Sequence, residues 1–139
     1  MKPLPPNKAY IALGSNLGNR LETCLKAIEY IKNLPKTTVT KQSSLIETTP
    51  IGVLNQPLFL NGAIEIETEL SPLNLLRHLK DIERKLGRIP TQKWGPRTID
   101  LDILTYGNLS MDTPELKLPH PEIKNRKFIQ ESLEELDFA

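Results

Sequence analysis

Cysteine is nearly missing from this chain: Cys24 is alone in 139 residues, so no internal disulfide can form. It falls on an apolar helical stripe with no evident cationic neighbour to lower its pKa, which argues against a thiol nucleophile. Long apolar runs are also missing. Nothing approaches the roughly 20 residues of a membrane span, and Met1-Lys2-Pro3-Leu4-Pro5-Pro6 lacks the apolar core of a secretory signal, so a cytoplasmic location with no membrane partner is expected. Charge of one sign is absent as well. Eighteen Lys and Arg against seventeen Asp and Glu leave a net charge of +1, without the basic excess of a nucleic-acid or lipid surface. Aromatic residues make up only 5%, too few for a sheet that stacks RNA bases on its strands. Repeats and low-complexity tracts are lacking, and the length suits one core, so residues 1–139 are expected to form a single domain. Proline is abundant instead. Ten of the twelve prolines gather at 3–6, 50–57, 90–96 and 114–121, where they predict stiff connections.

Between those connections the periodicity is clear. Residues 9–13 read as a short buried strand, followed by the turn formers and helix cap of 14–19. Leu21, Cys24, Leu25, Ile28 and Ile31 then recur at helical spacing. Residues 37–47 and 58–68 are rich in strand formers and predict a hairpin with a long loop. Ser71-Pro72 caps and opens a second helix with an apolar stripe of Leu75, Leu76, Leu79, Ile82 and Leu86, and Gly87 is placed to end it. A strand over 98–106 and a short helix near 129–136 complete the chain. The order strand, helix, strand, strand, helix, strand predicts an α+β fold of ferredoxin-like type, an antiparallel sheet with helices on one face and the active site on the other.

Alternation within two strands says what the open face carries. Leu60, Gly62, Ile64 and Ile66 share one side of their strand and leave Phe59 and Asn61 on the other. Ile99, Leu101 and Ile103 likewise leave Asp100 and Asp102 together, roughly 7 Å apart at the backbone for two residues of strand rise. Paired carboxylates repel unless a cation lies between them, and such open oxygen sites suit Mg²⁺ carrying substrate phosphates. An Asp-x-Asp pair by itself is more often a solvated face. Arg97, just upstream, offers a planar donor fork matched to phosphate oxygens.

The full run Trp94-Gly95-Pro96-Arg97-Thr98-Ile99-Asp100-Leu101-Asp102-Ile103-Leu104 is far more specific, and it resembles the hallmark segment of the 6-hydroxymethyl-7,8-dihydropterin pyrophosphokinases of folate biosynthesis. The resemblance extends, in order and spacing, through Ala9 to Gly18, Gln56 to Asn61, Leu118-Pro119-His120 and Lys124 to Phe128. It implies transfer of diphosphate from ATP to the pterin alcohol, with ATP and 6-hydroxymethyl-7,8-dihydropterin as substrates. Asp100 and Asp102 would then hold two Mg²⁺ ions, and Arg88 and Arg97 would join them as catalytic residues. Glu83, Arg88, Trp94, Arg97, Ile103, His120 and Arg126 would meet ATP. Thr48, Thr49, Ile51, Phe59, Asn61, Trp94 and Phe128 would line the pterin, with Phe59 and Phe128 on either side of the ring and Trp94 closing over both substrates. Gly14-Ser15-Asn16 lacks the spacing and Lys of a phosphate-binding P-loop and reads as structural. The chain departs from the family where arginines are common and it has Pro90 and Lys93, and where an aromatic is common and it has Pro121. The resemblance also leaves room for fusion to, or association with, another folate-pathway enzyme. Two rival readings are a non-catalytic ferredoxin-like binding module and a kinase that transfers only the γ-phosphate.

Overall fold

The computed structural model describes residues 6–49, 58–87 and 99–138. Strands β1 (Asn7–Ser15), β2 (Thr37–Gln42), β3 (Ile46–Thr48), β4 (Phe59–Thr68) and β5 (Asp100–Tyr106) form one antiparallel sheet in the order β2-β4-β1-β5, with β3 also pairing β4. Helices α1 (Arg20–Lys32) and α2 (Pro72–Lys85) connect β1 to β2 and β4 to β5, which is the ferredoxin-like α+β arrangement. A small hairpin of β6 (Met111–Asp112) and β7 (Lys117–Leu118) and a third helix, α3 (Lys127–Glu135), follow.

Local chemistry sets the helix ends. Asn19 caps α1 by accepting a hydrogen bond from the Glu22 N–H at 3.1 Å, and Ser71 caps α2 through the Asn74 N–H at 3.2 Å with Pro72 behind it. Gly87 stands just past α2 at φ +87°, a left-handed conformation that favours glycine.

Two apolar layers sandwich the sheet. Ile11, Leu13, Ile64, Ile66, Leu101 and Ile103 meet Cys24, Ile28 and Ile31 of α1 and Leu75, Leu79 and Ile82 of α2. On the opposite face Tyr10, Ala12, Ala63 and Leu104 meet Ile129, Leu133 and Leu136 of the α3 segment. The first two helices thus share a face as the pattern predicts, and α3 occupies part of the other. Burial raises the Cys24 thiol pKa to about 11, which makes it an inert core side chain. Leu21 and Leu25, assigned to the α1 stripe by spacing, are 54% and 50% exposed; Ala27 takes the buried position instead. No helix among the described residues is long and apolar enough to cross a membrane.

Candidate active site

The part of the second face that α3 leaves open is a cavity of about 770 Å³. Its floor is β1, the central strand. There the register places Gly14 between Asn61 of β4 and Asp100 of β5, and Ala12 between Ala63 and Asp102. Gly14 and Ala12 on the middle strand, with Asn61, Asp100 and Asp102 on its neighbours, leave a trough by geometry alone. A Cβ on Gly14 would stand 2.3 Å from Asn61 Oδ1, far inside contact distance, so the glycine is what lets Asn61 lie across the floor. This contribution of Gly14 and Ala12 was not read from the sequence, where Gly14 passed as a turn residue.

Thr48, Thr49, Phe59, Asn61, Asp100, Asp102, His120, Arg126 and Phe128 all line the cavity. Asn61 is buried at 5% exposure, and its Nδ2 donates to Thr48 Oγ1 across the β3–β4 pair, which holds its amide plane. Phe128 divides its surface between the α3 layer and the cavity. Lys80, Glu122 and Lys127, not singled out by sequence, complete much of the charged rim. Lys80 also borders a second groove of about 510 Å³, shared with Leu76, Arg77, Arg84 and Glu115.

Two expected residues are not brought to the cavity. Ile103 is 2% exposed and sits in the helix-side core, the face that strand alternation assigns it, so its side chain is turned away. Glu83 is 3% exposed, and its Oε2 accepts a hydrogen bond from the Leu101 N–H at 2.8 Å, which ties α2 to β5. Ile51, Arg88, Trp94 and Arg97, with Pro90 and Lys93, lie outside the described residues.

Asp100 and Asp102 are half-buried and open onto the same space. Among the described residues no set of three or more His, Cys, Asp or Glu side chains is arranged to hold a metal. The two aspartates offer only oxygen donors to the cavity, the donor type that hard cations take.

His120 is positioned twice. Its N–H donates to the Leu104 carbonyl at 2.8 Å, and its Nδ1 accepts from the Glu122 N–H at 3.1 Å, which assigns the proton of the neutral ring to Nε2. Burial, and next the Arg126 guanidinium, hold its pKa below the ordinary 6.5, while Glu122 and Asp100 pull the other way. With the folded value depressed, the stability this neutral histidine contributes is fully present above about pH 6.5 and is lost as pH falls through that value towards the folded one. Arg126→Gln is expected to raise the His120 midpoint without restoring the ordinary value, since burial remains; NMR titration of the ring resonances checks this.

A ferredoxin-like sheet with a cavity that gathers two carboxylates, a neutral imidazole, an arginine, two aromatics and a buried amide defines a small-molecule enzyme of the group-transfer kind. Residues 10–138 match the family model of 7,8-dihydro-6-hydroxymethylpterin-pyrophosphokinase, and the chain belongs to that family. It is 45% identical over 130 residues to the 2-amino-4-hydroxy-6-hydroxymethyldihydropteridine pyrophosphokinase of Bacillus subtilis, covering 94% of this chain and 78% of that one. The enzyme of the same name from Haemophilus influenzae is 45% identical over 121 residues, covering 87% and 76%. The mitochondrial folate synthesis bifunctional protein of Arabidopsis thaliana is 42% identical over 130 residues, of which this chain spans only 23%. Among solved structures, Plasmodium falciparum HPPK-DHPS with pterin and p-hydrobenzoate superposes with a TM-score of 0.56 at 17% identity, covering 94% of this chain and 40% of that one. That likeness supports the fold. Relatives thus occur both as single enzymes and within larger folate-synthesis proteins.

Proposed function

We propose that this chain transfers the diphosphate of ATP to the hydroxymethyl oxygen of 6-hydroxymethyl-7,8-dihydropterin, with Asp100 and Asp102 as the cation-holding pair. Membership of the pyrophosphokinase family supports the reaction. The observation that supports the site reading is the single row Asn61–Gly14–Asp100, in which an amide and a carboxylate stand on the two strands that flank β1 in one cavity floor. The hydroxyl oxygen attacks the β-phosphorus, the bond from that phosphorus to the oxygen bridging the α-phosphate breaks, AMP leaves, and the hydroxyl proton passes to solvent.

In this reading the chain's work is positioning and charge. Two bound Mg²⁺ ions would neutralise the triphosphate and polarise the transferred group. Asp100 and Asp102 hold that charge against the β5 edge of the cavity. Arg126 faces phosphate oxygens from the opposite rim, with Arg88 and Arg97 as its partners in the phosphate clamp and Trp94 as the cover. Neutral His120 donates from Nε2 to the nucleotide. Lys80, which borders both the cavity and the groove along α2, directs the nucleotide between them. Glu83 and Ile103 keep their side chains out of the cavity lining. The pterin lies between Phe59 and Phe128, its amide edge read by Asn61 with Thr48, Thr49 and Ile51 around it. We also propose that residues 1–139 act as one domain in the cytoplasm, either alone or joined to another folate enzyme as in the bifunctional relatives.

The deciding experiment incubates the protein with ATP, Mg²⁺ and the pterin alcohol and identifies the nucleotide product. AMP supports the proposal; ADP would mean transfer of one phosphate and would sink it. A second expectation separates the two substrates. Phe59 turns away from the Leu60 and Ile64 layer, so Phe59→Ala is expected to weaken pterin binding by about 1 to 3 kcal/mol, the range for bases stacked on aromatics, and to spare nucleotide affinity. Titration calorimetry with each ligand tests this, and equal losses for both would return Phe59 to a packing role.

A further inference from the structure

We infer that Glu83 is a positioning residue for the aspartate pair, acting through the backbone of β5 and not through the nucleotide. The inference rests on the reading of Asp100 and Asp102 as the cation-holding pair. Among the described strands of the main sheet β5 pairs with β1 alone, so its other edge carries no described strand. In an antiparallel ladder the N–H groups of successive residues point to alternate edges, and Leu101, between the two aspartates, presents its N–H to the side away from β1. Glu83 Oε2 takes that N–H at 2.8 Å. Farther along the same edge, the His120 N–H takes the Leu104 carbonyl at 2.8 Å. The side of β5 away from β1 therefore anchors two elements of the site, α2 and the His120 segment, which hold the strand against shifting.

A carboxylate at 3% exposure is costly to bury and is retained only where polar partners receive it. Lys80 Nζ stands 3.6 Å from its Oε1, half-exposed at the cavity rim. The hydrogen bond to Leu101 fixes the plane of the peptide joining Asp100 to Leu101. That plane sets the direction in which the Asp100 and Asp102 side chains leave the strand. A tilt would change the separation and aim of their oxygens, to which cation coordination is sensitive. Charge on Glu83 is not what this role requires; an acceptor at the right reach is.

The test compares Glu83→Gln, which keeps an acceptor at the same reach, with Glu83→Ala, which removes it, and Glu83→Asp, which withdraws it by one methylene. Two measurements are made on each: hydrogen exchange of the Leu101 amide in metal-free protein, and retention of Mn²⁺ with a non-hydrolysable ATP analogue by electron paramagnetic resonance. AMP affinity without metal serves as the nucleotide control. Glu83→Ala and Glu83→Asp are expected to lose Leu101 protection and to hold Mn²⁺ roughly 10- to 100-fold less tightly, the usual cost of removing an outer-shell partner. Glu83→Gln is expected to follow wild type in both, and AMP affinity should stay the same throughout. Should Glu83→Ala fail to fold, the contrast between Gln and Asp decides the matter. A Gln variant that loses Mn²⁺ while the Asp variant keeps it would show that charge acts, and would overturn the inference. So would loss of AMP affinity with Mn²⁺ retention intact, which makes Glu83 a nucleotide contact. Wild-type protein that retains no Mn²⁺ would overturn the reading of the aspartates and the inference with it.

Discussion

Asp100→Asn and Asp102→Asn are each expected to lower turnover at least about a hundredfold, roughly 2.7 kcal/mol of transition-state stabilisation at 1.36 kcal/mol per decade, while leaving the melting temperature nearly unchanged. The asymmetry follows from where these residues sit. Both are half-buried on the open face, while Ile99, Leu101 and Ile103 between and beside them carry the packing. Asparagine keeps their shape and removes the mutual repulsion of two neighbouring carboxylates, so folding gains about as much as it loses. Cation holding has no such compensation, because a neutral amide oxygen cannot balance a divalent charge beside a triphosphate. The two variants should differ in one respect. Asp100 is among the groups that raise the proton affinity of His120, so Asp100→Asn should lower the His120 midpoint further. Steady-state rates, thermal melts and an NMR titration of His120 check the three parts. Turnover within about tenfold of wild type in either variant would remove that aspartate from the catalytic set.

Much of this site was legible because it lies on strands, where side-chain direction is a local property. Alternation alone turned Phe59, Asn61, Asp100 and Asp102 to one face, and caps at Ser71 and Gly87 bounded α2. What escaped is what depends on register between distant segments. Gly14 opposes both Asn61 and Asp100, 47 and 86 residues away along the chain, and no local pattern marks it as the floor between them. Glu83 reads as a surface carboxylate on a helix edge, because its partner is a backbone amide that every residue type possesses. The resemblance pointed it towards ATP; the fold gives it the β5 backbone. Leu21 and Leu25 satisfied the helical period, yet only the arc of α1 through Cys24, Ala27, Ile28 and Ile31 meets the sheet. The face taken by α3 was equally invisible, since an amphipathic helix fits either side of a sheet that is apolar on both.

Gly14→Ala is expected to weaken pterin binding by about 1 to 3 kcal/mol, the cost of displacing a buried, hydrogen-bonded amide, and to leave the fold in place. Two effects compete at this position. Glycine within a strand is costly, so alanine would ordinarily stabilise by roughly 0.5 to 1 kcal/mol. Here the new Cβ would stand 2.3 Å from Asn61 Oδ1, while Phe59 Cδ1, at 3.5 Å, is an ordinary contact. Asn61 must therefore move, and its amide nitrogen is already committed to Thr48. The strand gains little, and the recognition edge loses its geometry. Because the whole effect passes through one side chain, it should not be additive. In an Asn61→Ala background the clash is gone, and Gly14→Ala should then cost almost nothing further in pterin affinity. Calorimetric titration of the pterin with the two single variants and the double variant closes the cycle. Independent, additive losses would mean that Gly14 contacts the ligand through its own backbone and that the trough does not depend on Asn61 lying across it.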